Sequence, residues 1–148
     1  MIRRAQLSDI PALMRAARVM HQESRFRVFA FSDEKVAGVF GNCIASPVGI
    51  AFVAESDDEP IGFAMGEICP HPLFDSLMAF EYGIYVLPEH RGRMAGLRLV
   101  KAYVEAAKAF GVTDVNAGVT TDIDLDRTSR MYEIVGLHRV GTLFNTMG

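Results

Sequence analysis

The residues best suited to chemistry in this chain of 148 residues lie in one stretch, Ile84 to Leu99, which reads IYVLPEHRGRMAGLRL. Ile84-Tyr85-Val86-Leu87 suits a buried strand, and Pro88, which cannot donate to a ladder, ends it. From Gly96 onward, Leu99, Tyr103, Ala106, Ala107 and Phe110 recur at helical spacing, with Arg98, Lys101, Glu105 and Lys108 opposite them and Gly111 placed as a terminating glycine. A strand–loop–helix junction of this kind leaves backbone N–H groups without internal partners at the positive end of a helix dipole. Gly92 and Gly96 let the backbone close on a ligand, and Arg91 and Arg93 add charge, so the loop suits an anion such as a pyrophosphate. An ordinary βα turn with solvated arginines accounts for the same residues. Neither GxxxxGK[ST] nor an early GxGxxG is present, which excludes the P-loop and the dinucleotide loop.

Glu81 is the second feature. It sits in Phe80-Glu81-Tyr82-Gly83-Ile84-Tyr85-Val86, and a carboxylate inside an apolar strand is costly unless it is paired, exposed or functional. An edge or surface position is the plain explanation. The expected topology argues otherwise, because it puts this strand at a parallel crossover, where crevices form at strand carboxyl ends.

Composition narrows the field. Half of the residues are hydrophobic and the net charge is −3, so one globular domain over residues 1–148 is expected, without a basic footprint for nucleic acid. Cys43 and Cys69 have no CxxC spacing and read as free thiols. His21, His71, His90 and His138 are scattered, so no metal site is expected. No run approaches the ~18 apolar residues of a membrane span, and MIRRAQLSDIPALM lacks a leader's apolar core, so a cytoplasmic protein without membrane contact is expected.

The elements that must position these residues follow from periodicity. Ile2–Ala5 reads as a strand; Ser8 caps a helix carrying Ile10, Leu13, Met14, Ala17 and Met20 on one face; Ser32 precedes a second helix that Ser46-Pro47 stops. Residues 50–55 and 61–68 flank the turn 56–60 as an antiparallel hairpin, and a strand from about Met78 to Leu87 leads into the central loop. After Gly111 come a strand over 112–119, a helix over 126–135 and a final strand over 137–144. The order β-α-α-β-β-β-α-β-α-β predicts an α/β fold with a mixed central sheet flanked by helices.

Val86-Leu87-Pro88-Glu89-His90-Arg91-Gly92-Arg93-Met94-Ala95-Gly96 resembles the coenzyme A pyrophosphate loop of the GNAT acetyltransferase superfamily, V-x-P-x-x-[QR]-x-x-G-x-[GA], with Met94 in place of the first glycine. Arg127 to Leu137, RTSRMYEIVGL, resembles that family's A-x-x-[LF]-Y-E-x-x-G-F segment, and the element order matches over essentially the whole chain. The resemblance implies acetyl transfer from acetyl-coenzyme A to a primary amine by direct attack in a ternary complex. It implies coenzyme contacts from Ile84, Val86, Arg91, Gly92, Arg93, Met94, Ala95, Gly96 and Leu97, Glu81 as the base, and Tyr132 as the acid for the departing thiolate. It also implies a bulge near Gly83, because strict alternation would turn Glu81 away from the face of Val86. The family's asparagine, seven residues before the tyrosine, is Leu125 here, with Asp124 and Asp126 beside it.

The acceptor side falls by position to residues 21–26, 71–75 and 120–122, with His21, Glu23, Phe74, Asp75 and Thr121 as candidates; Glu23, Asp75 and Asp122 could attract a cationic amine or be solvated loop charges. The acceptor is a small-molecule or protein amine, and a homodimer is compatible with this reading. The rival is a non-catalytic acyl-coenzyme A binding or sensor module, in which Met94 and Leu125 mark an altered site.

Overall fold

The computed structural model describes residues 1–147. Its elements are β1 (Ile2–Arg4), α1 (Ile10–Glu23), α2 (Asp33–Ala45), β2 (Gly49–Ser56), β3 (Glu59–Pro70), β4 (Leu77–Val86), α3 (Ala95–Ala109), β5 (Asp114–Val115) and α4 (Leu125–Ile134). The sheet order is β1-β2-β3-β4-β5, antiparallel throughout except for the parallel pair of β4 and β5. This is the mixed α/β sheet expected from the sequence.

Both sheet faces are covered, which explains why β2 and β3 are apolar at nearly every position. Ile50 and Ala54 of β2, with Ala64 and Ile68 of β3, pack beneath Leu99, Val100, Tyr103, Val104 and Ala107 of α3. The alternate residues Ala51, Val53, Phe63 and Met65 face Leu13, Met14, Ala17, Phe40 and Cys43 of α1 and α2. The hairpin joining β2 to β3 turns on Asp57 and Asp58 alone, both left-handed at φ 52° and 62°, the twist-matched geometry of two-residue hairpin loops.

Three expectations need correction. Ser8 does not cap α1: a short 3-10 turn, Leu7–Asp9, precedes the helix, and Asp9 accepts from the Gln6 N–H at 2.7 Å while pairing with Arg3. The strand expected over 112–119 pairs only at Asp114–Val115. The strand expected over 137–144 is absent among the described residues. Gly136, at φ 99°, turns the chain off α4, and no neighbouring strand offers residues 137–144 a ladder, without which an alternating pattern has nothing to pair with. Ser32, by contrast, caps α2 as expected, its side chain accepting from the Lys35 N–H at 3.2 Å.

Gly66 sits where β3 meets β4 and α3: a Cβ there would lie 2.6 Å from the Phe80 carbonyl oxygen and 2.7 Å from Tyr103 Cε2. Gly66→Ala should therefore cost about 1–3 kcal/mol through overpacking. Gly38→Ala on α2, where nothing lies within 4 Å, should instead stabilise by about 0.5–1 kcal/mol. Urea denaturation of both variants checks the contrast; an unchanged midpoint for Gly66→Ala would contradict the packing described.

Candidate active site

The site exists because β4 and β5 part company. They pair only at Met78 with Asp114 and Ala79 with Val115, and Asn116 N–H adds one bond to the Ala79 carbonyl at 3.0 Å. Immediately beyond, the register between β3 and β4 jumps: Met65 opposes Gly83 while Gly66 opposes Glu81, leaving Tyr82 as the extra residue. This is the bulge expected near Gly83. It bends β4 away from the continuation of β5 and opens a cleft of about 880 Å³.

The bulge also resets which residues share a face. Ala79 and Val86 both belong to the cluster under α3, with Ile84 packed against it, whereas Tyr85 belongs to the opposite face. Glu81, two residues after Ala79, thus shares the side of Ile84 and Val86 despite the odd-numbered offset. Backbone direction is reset as well. Leu87 N–H bonds to the Ile61 carbonyl of β3 at 2.9 Å, so by alternation the N–H groups of Ile84 and Val86 point to the open edge.

Glu81 and Tyr132 converge on one residue across the cleft. Gly118 N–H donates to Glu81 Oε2 at 3.0 Å, and the Tyr132 hydroxyl donates to the Gly118 carbonyl at 3.2 Å. Recessed beneath the cleft, the Glu81 carboxyl loses hydration, which pushes its pKa up to about 7 against the smaller opposing effect of the Gly118 bond. Burial, with Glu81 and Tyr103 nearby, holds the Tyr132 phenol far above its usual range, so it stays protonated and remains a donor.

At the other end of the cleft lies the start of α3. Met94 is its N-cap and supplies no side-chain bond, so the first-turn N–H groups of Ala95, Gly96 and Leu97 have no cap among the described residues. Gly92 is left-handed at φ 85°, a conformation that favours glycine, and Arg127 Nη2 lies 3.9 Å from the place of its missing Cβ. Arg93, Arg127 and Arg130 line this end. The donors, the cradle and the cations fit a pyrophosphate. Gly96 has a second role: a Cβ would sit 3.0 Å from Met131 Sδ, so the glycine admits α4 against α3.

The acetyltransferase (GNAT) family model matches residues 11–137. The chain belongs to the GNAT family. No curated protein matches its sequence. Among solved structures, it is similar to a protein of Agrobacterium tumefaciens str. C58 assigned as an acetyltransferase, at 23% identity and TM-score 0.75, covering 98% of this chain and 97% of that one. It is similar to an aminoglycoside 6′-N-acetyltransferase of Acinetobacter haemolyticus, at 18% identity and TM-score 0.73, covering 98% and 95%. A Clostridium acetobutylicum protein solved with acetyl-CoA, likewise assigned as an acetyltransferase, gives 16% identity and TM-score 0.74 over 98% and 94%.

Set against the GNAT pattern, Glu81, Ile84, Val86, Arg91, Gly92, Arg93, Gly96, Leu97, Thr121 and Tyr132 line the cleft, whereas Met94 and Ala95 do not. Arg91 lines it with its charge already spent. Its Nη1 and Nη2 donate to Glu23 at 2.8 and 2.5 Å, its Nε donates to the Val86 carbonyl at 3.0 Å, and Tyr85 donates its hydroxyl to the same carboxylate. The Arg91 bonds hold the Glu23 carboxyl below its usual range, so Glu23 is an anchor for the loop. His21 bonds the Phe29 carbonyl at 2.7 Å, and Phe74 and Asp75 lie exposed in the β3–β4 loop, all three outside the cleft lining.

Sequence reasoning missed Arg127 and Arg130 as cations of the anion end and the segment Asn116–Val119 as a wall. The arginines fell within a quoted motif, but only the packing of α4 beside Gly92 shows their use. Among the described residues, no group of three or more His, Cys, Asp or Glu is placed to hold a metal, and no helix is long and apolar enough to cross a membrane.

Because its folded pKa is raised, the Glu81 carboxylate opposes folding above its unfolded pKa: the protein is unpenalised below about 4.5 and carries the full cost above about 7. The melting temperature of Glu81→Gln minus that of the wild type should grow between pH 4.5 and pH 8. A difference independent of pH would mean that Glu81 is ordinarily solvated.

Proposed function

We propose that this GNAT protein acts as one acetyltransferase domain that moves an acetyl group from acetyl-coenzyme A to a primary amine by direct attack in a ternary complex. The observation that carries the reading is the convergence of a recessed carboxylate, Glu81, and a buried phenol, Tyr132, on Gly118 between an open strand edge and an uncapped helix start. Acetyl-coenzyme A supplies the acyl group as an activated thioester.

The residues divide the work by chemistry. Gly96 and Leu97 N–H groups, with Arg93 and Arg127, hold the pyrophosphate; the outward N–H groups of Ile84 and Val86 orient the pantetheine arm and stabilise negative charge developing on the carbonyl oxygen. A protonated amine is not a nucleophile, and Glu81, with a pKa of about 7, accepts its proton near neutrality. The Tyr132 hydroxyl donates toward the departing sulfur. Met94 and Leu125, two of the departures from the family pattern, do not line the cleft.

Turnover should therefore rise with pH through about 7 as Glu81 ionises. Glu81→Gln should lower turnover by ~10²-fold or more and remove that limb, while Tyr132→Phe should lower it by roughly tenfold to a thousandfold. Thiol release measured over a pH series, with calorimetry for acetyl-coenzyme A affinity, checks both. Wild-type turnover in a folded Glu81→Gln protein would remove Glu81 from the reaction.

A further inference from the structure

The cleft passes through the sheet at the parting of β4 and β5, and its two mouths differ in chemistry. On the α3–α4 side it carries Arg93, Arg127 and Arg130. On the α1–α2 side its walls are Met20, Phe26, Phe80, Tyr82 and Ile123. Met20 and Ile123 pack against the α1–α2 core. Phe80 opposes Glu67, which alternates with the α1–α2-facing Met65, and the Tyr82 hydroxyl reaches Glu67 Oε1 at 2.8 Å, so both aromatics belong to that face.

This aromatic mouth is built. Ser24, fully buried, donates its hydroxyl to the His21 carbonyl at 3.1 Å and accepts from the Phe26 N–H at 3.2 Å, which fixes the turn that presents Phe26. Arg25 lies over the Phe26 ring at 4.5 Å, and its Nε and N–H bond the carbonyls of Thr120 and Thr121 at 2.5 and 2.9 Å, tying this wall to the opposite one. Phe80 and Tyr82 meet edge to face at 5.1 Å, yet remain 43% and 45% exposed, leaving apolar area uncovered beside Glu81 in the chain.

The charges are as telling as the aromatics. Among the described residues, Glu81 and Asp124 are the only carboxylates in the cleft lining, and Asp124 caps α4 by accepting from the Arg127 N–H. Glu23 is held by Arg91, and Asp75 and Asp122 lie outside the lining. Within the cleft lining one carboxylate thus serves one ammonium. A second ammonium entering this mouth would lose hydration and meet the Arg25 guanidinium, and Glu67, the carboxylate beside Tyr82, already accepts from the Tyr82 hydroxyl at 2.8 Å, whereas an apolar body would cover Phe26, Phe80 and Tyr82.

Resting on the acetyltransferase reading, we propose that the acceptor is a primary amine carried on an uncharged apolar body about the size of an aromatic ring, held by Phe26, Phe80 and Tyr82 with its nitrogen at Glu81. The test measures initial rates of acetyl-coenzyme A-dependent thiol release with 2-phenylethylamine, n-propylamine and spermidine, and calorimetric binding of acetyl-coenzyme A and of 2-phenylethylamine. We expect kcat/KM for 2-phenylethylamine at least tenfold above the other two, and direct binding of it that Phe26→Ala weakens. Phe26→Ala and Phe80→Ala should each raise its KM several-fold with kcat nearly unchanged and with wild-type acetyl-coenzyme A affinity. Spermidine turned over as well as or better than 2-phenylethylamine, or no transfer to 2-phenylethylamine by protein that binds acetyl-coenzyme A, would overturn the proposal. Loss of acetyl-coenzyme A binding itself would overturn the acetyltransferase reading beneath it.

Discussion

Tyr82 is one residue too many for its neighbour strand, and much of the site follows from how the sheet absorbs it. Had β4 run straight, Glu81 would lie across the sheet from Ile84 and Val86, and β5 could have continued its ladder past Ala79. With the extra residue, the strand bends, pairing with β5 stops after the Asn116 bond, and two backbone N–H groups are left facing an opening. A sheet normally satisfies its own N–H groups; here the unsatisfied edge faces the cleft. Gly66 opposite the bulge, too crowded for a side chain, lets the two strands keep their close approach through the distortion.

The Arg91 pair is the second constraint. Arg91 belongs to the loop that leads into α3, and Glu23 ends α1, so a bidentate bond ties the anion end of the cleft to the helix whose continuation builds the aromatic mouth. Tyr85 lies under the Arg91 guanidinium at 5.1 Å and shares its carboxylate partner. Charge-assisted, bidentate and half-buried, this pair holds its geometry better than an exposed one would. It also means that the positive field at the α3 start comes from Arg93, Arg127 and Arg130, two of them delivered by α4.

Glu81 and Tyr132 act on each other through the same loop. Burial and the nearby Glu81 hold the Tyr132 phenol protonated, and Gly118 offers its N–H to Glu81 and its carbonyl to Tyr132. Tyr103, buried under α3, bonds the Asn116 carbonyl at 2.6 Å and so braces the segment that carries Gly118. The core of the α3 face and the reactive groups are in this way one continuous structure.

Local chemistry wrote much of this protein directly into its sequence. Pro88, the glycines of the loop and the stripe from Leu99 to Phe110 dictate a strand, a turn and a helix whatever surrounds them, because they act through backbone freedom and 3.6-residue periodicity. Ser32 and Gly111 did the same for helix ends. What pairs across the sheet could not be read that way. The strand over 137–144 has the right alternation but no neighbour, and β5 shrank to Asp114–Val115 because β4 turned away. Arg91 read as a coenzyme contact and Glu23 as an acceptor-side or solvated charge, since nothing local says that residues 68 positions apart meet. Periodicity and turn chemistry are short-range and survive in one dimension; register, ion pairing and the charge balance of a cleft are decided by which distant residues the fold brings into contact.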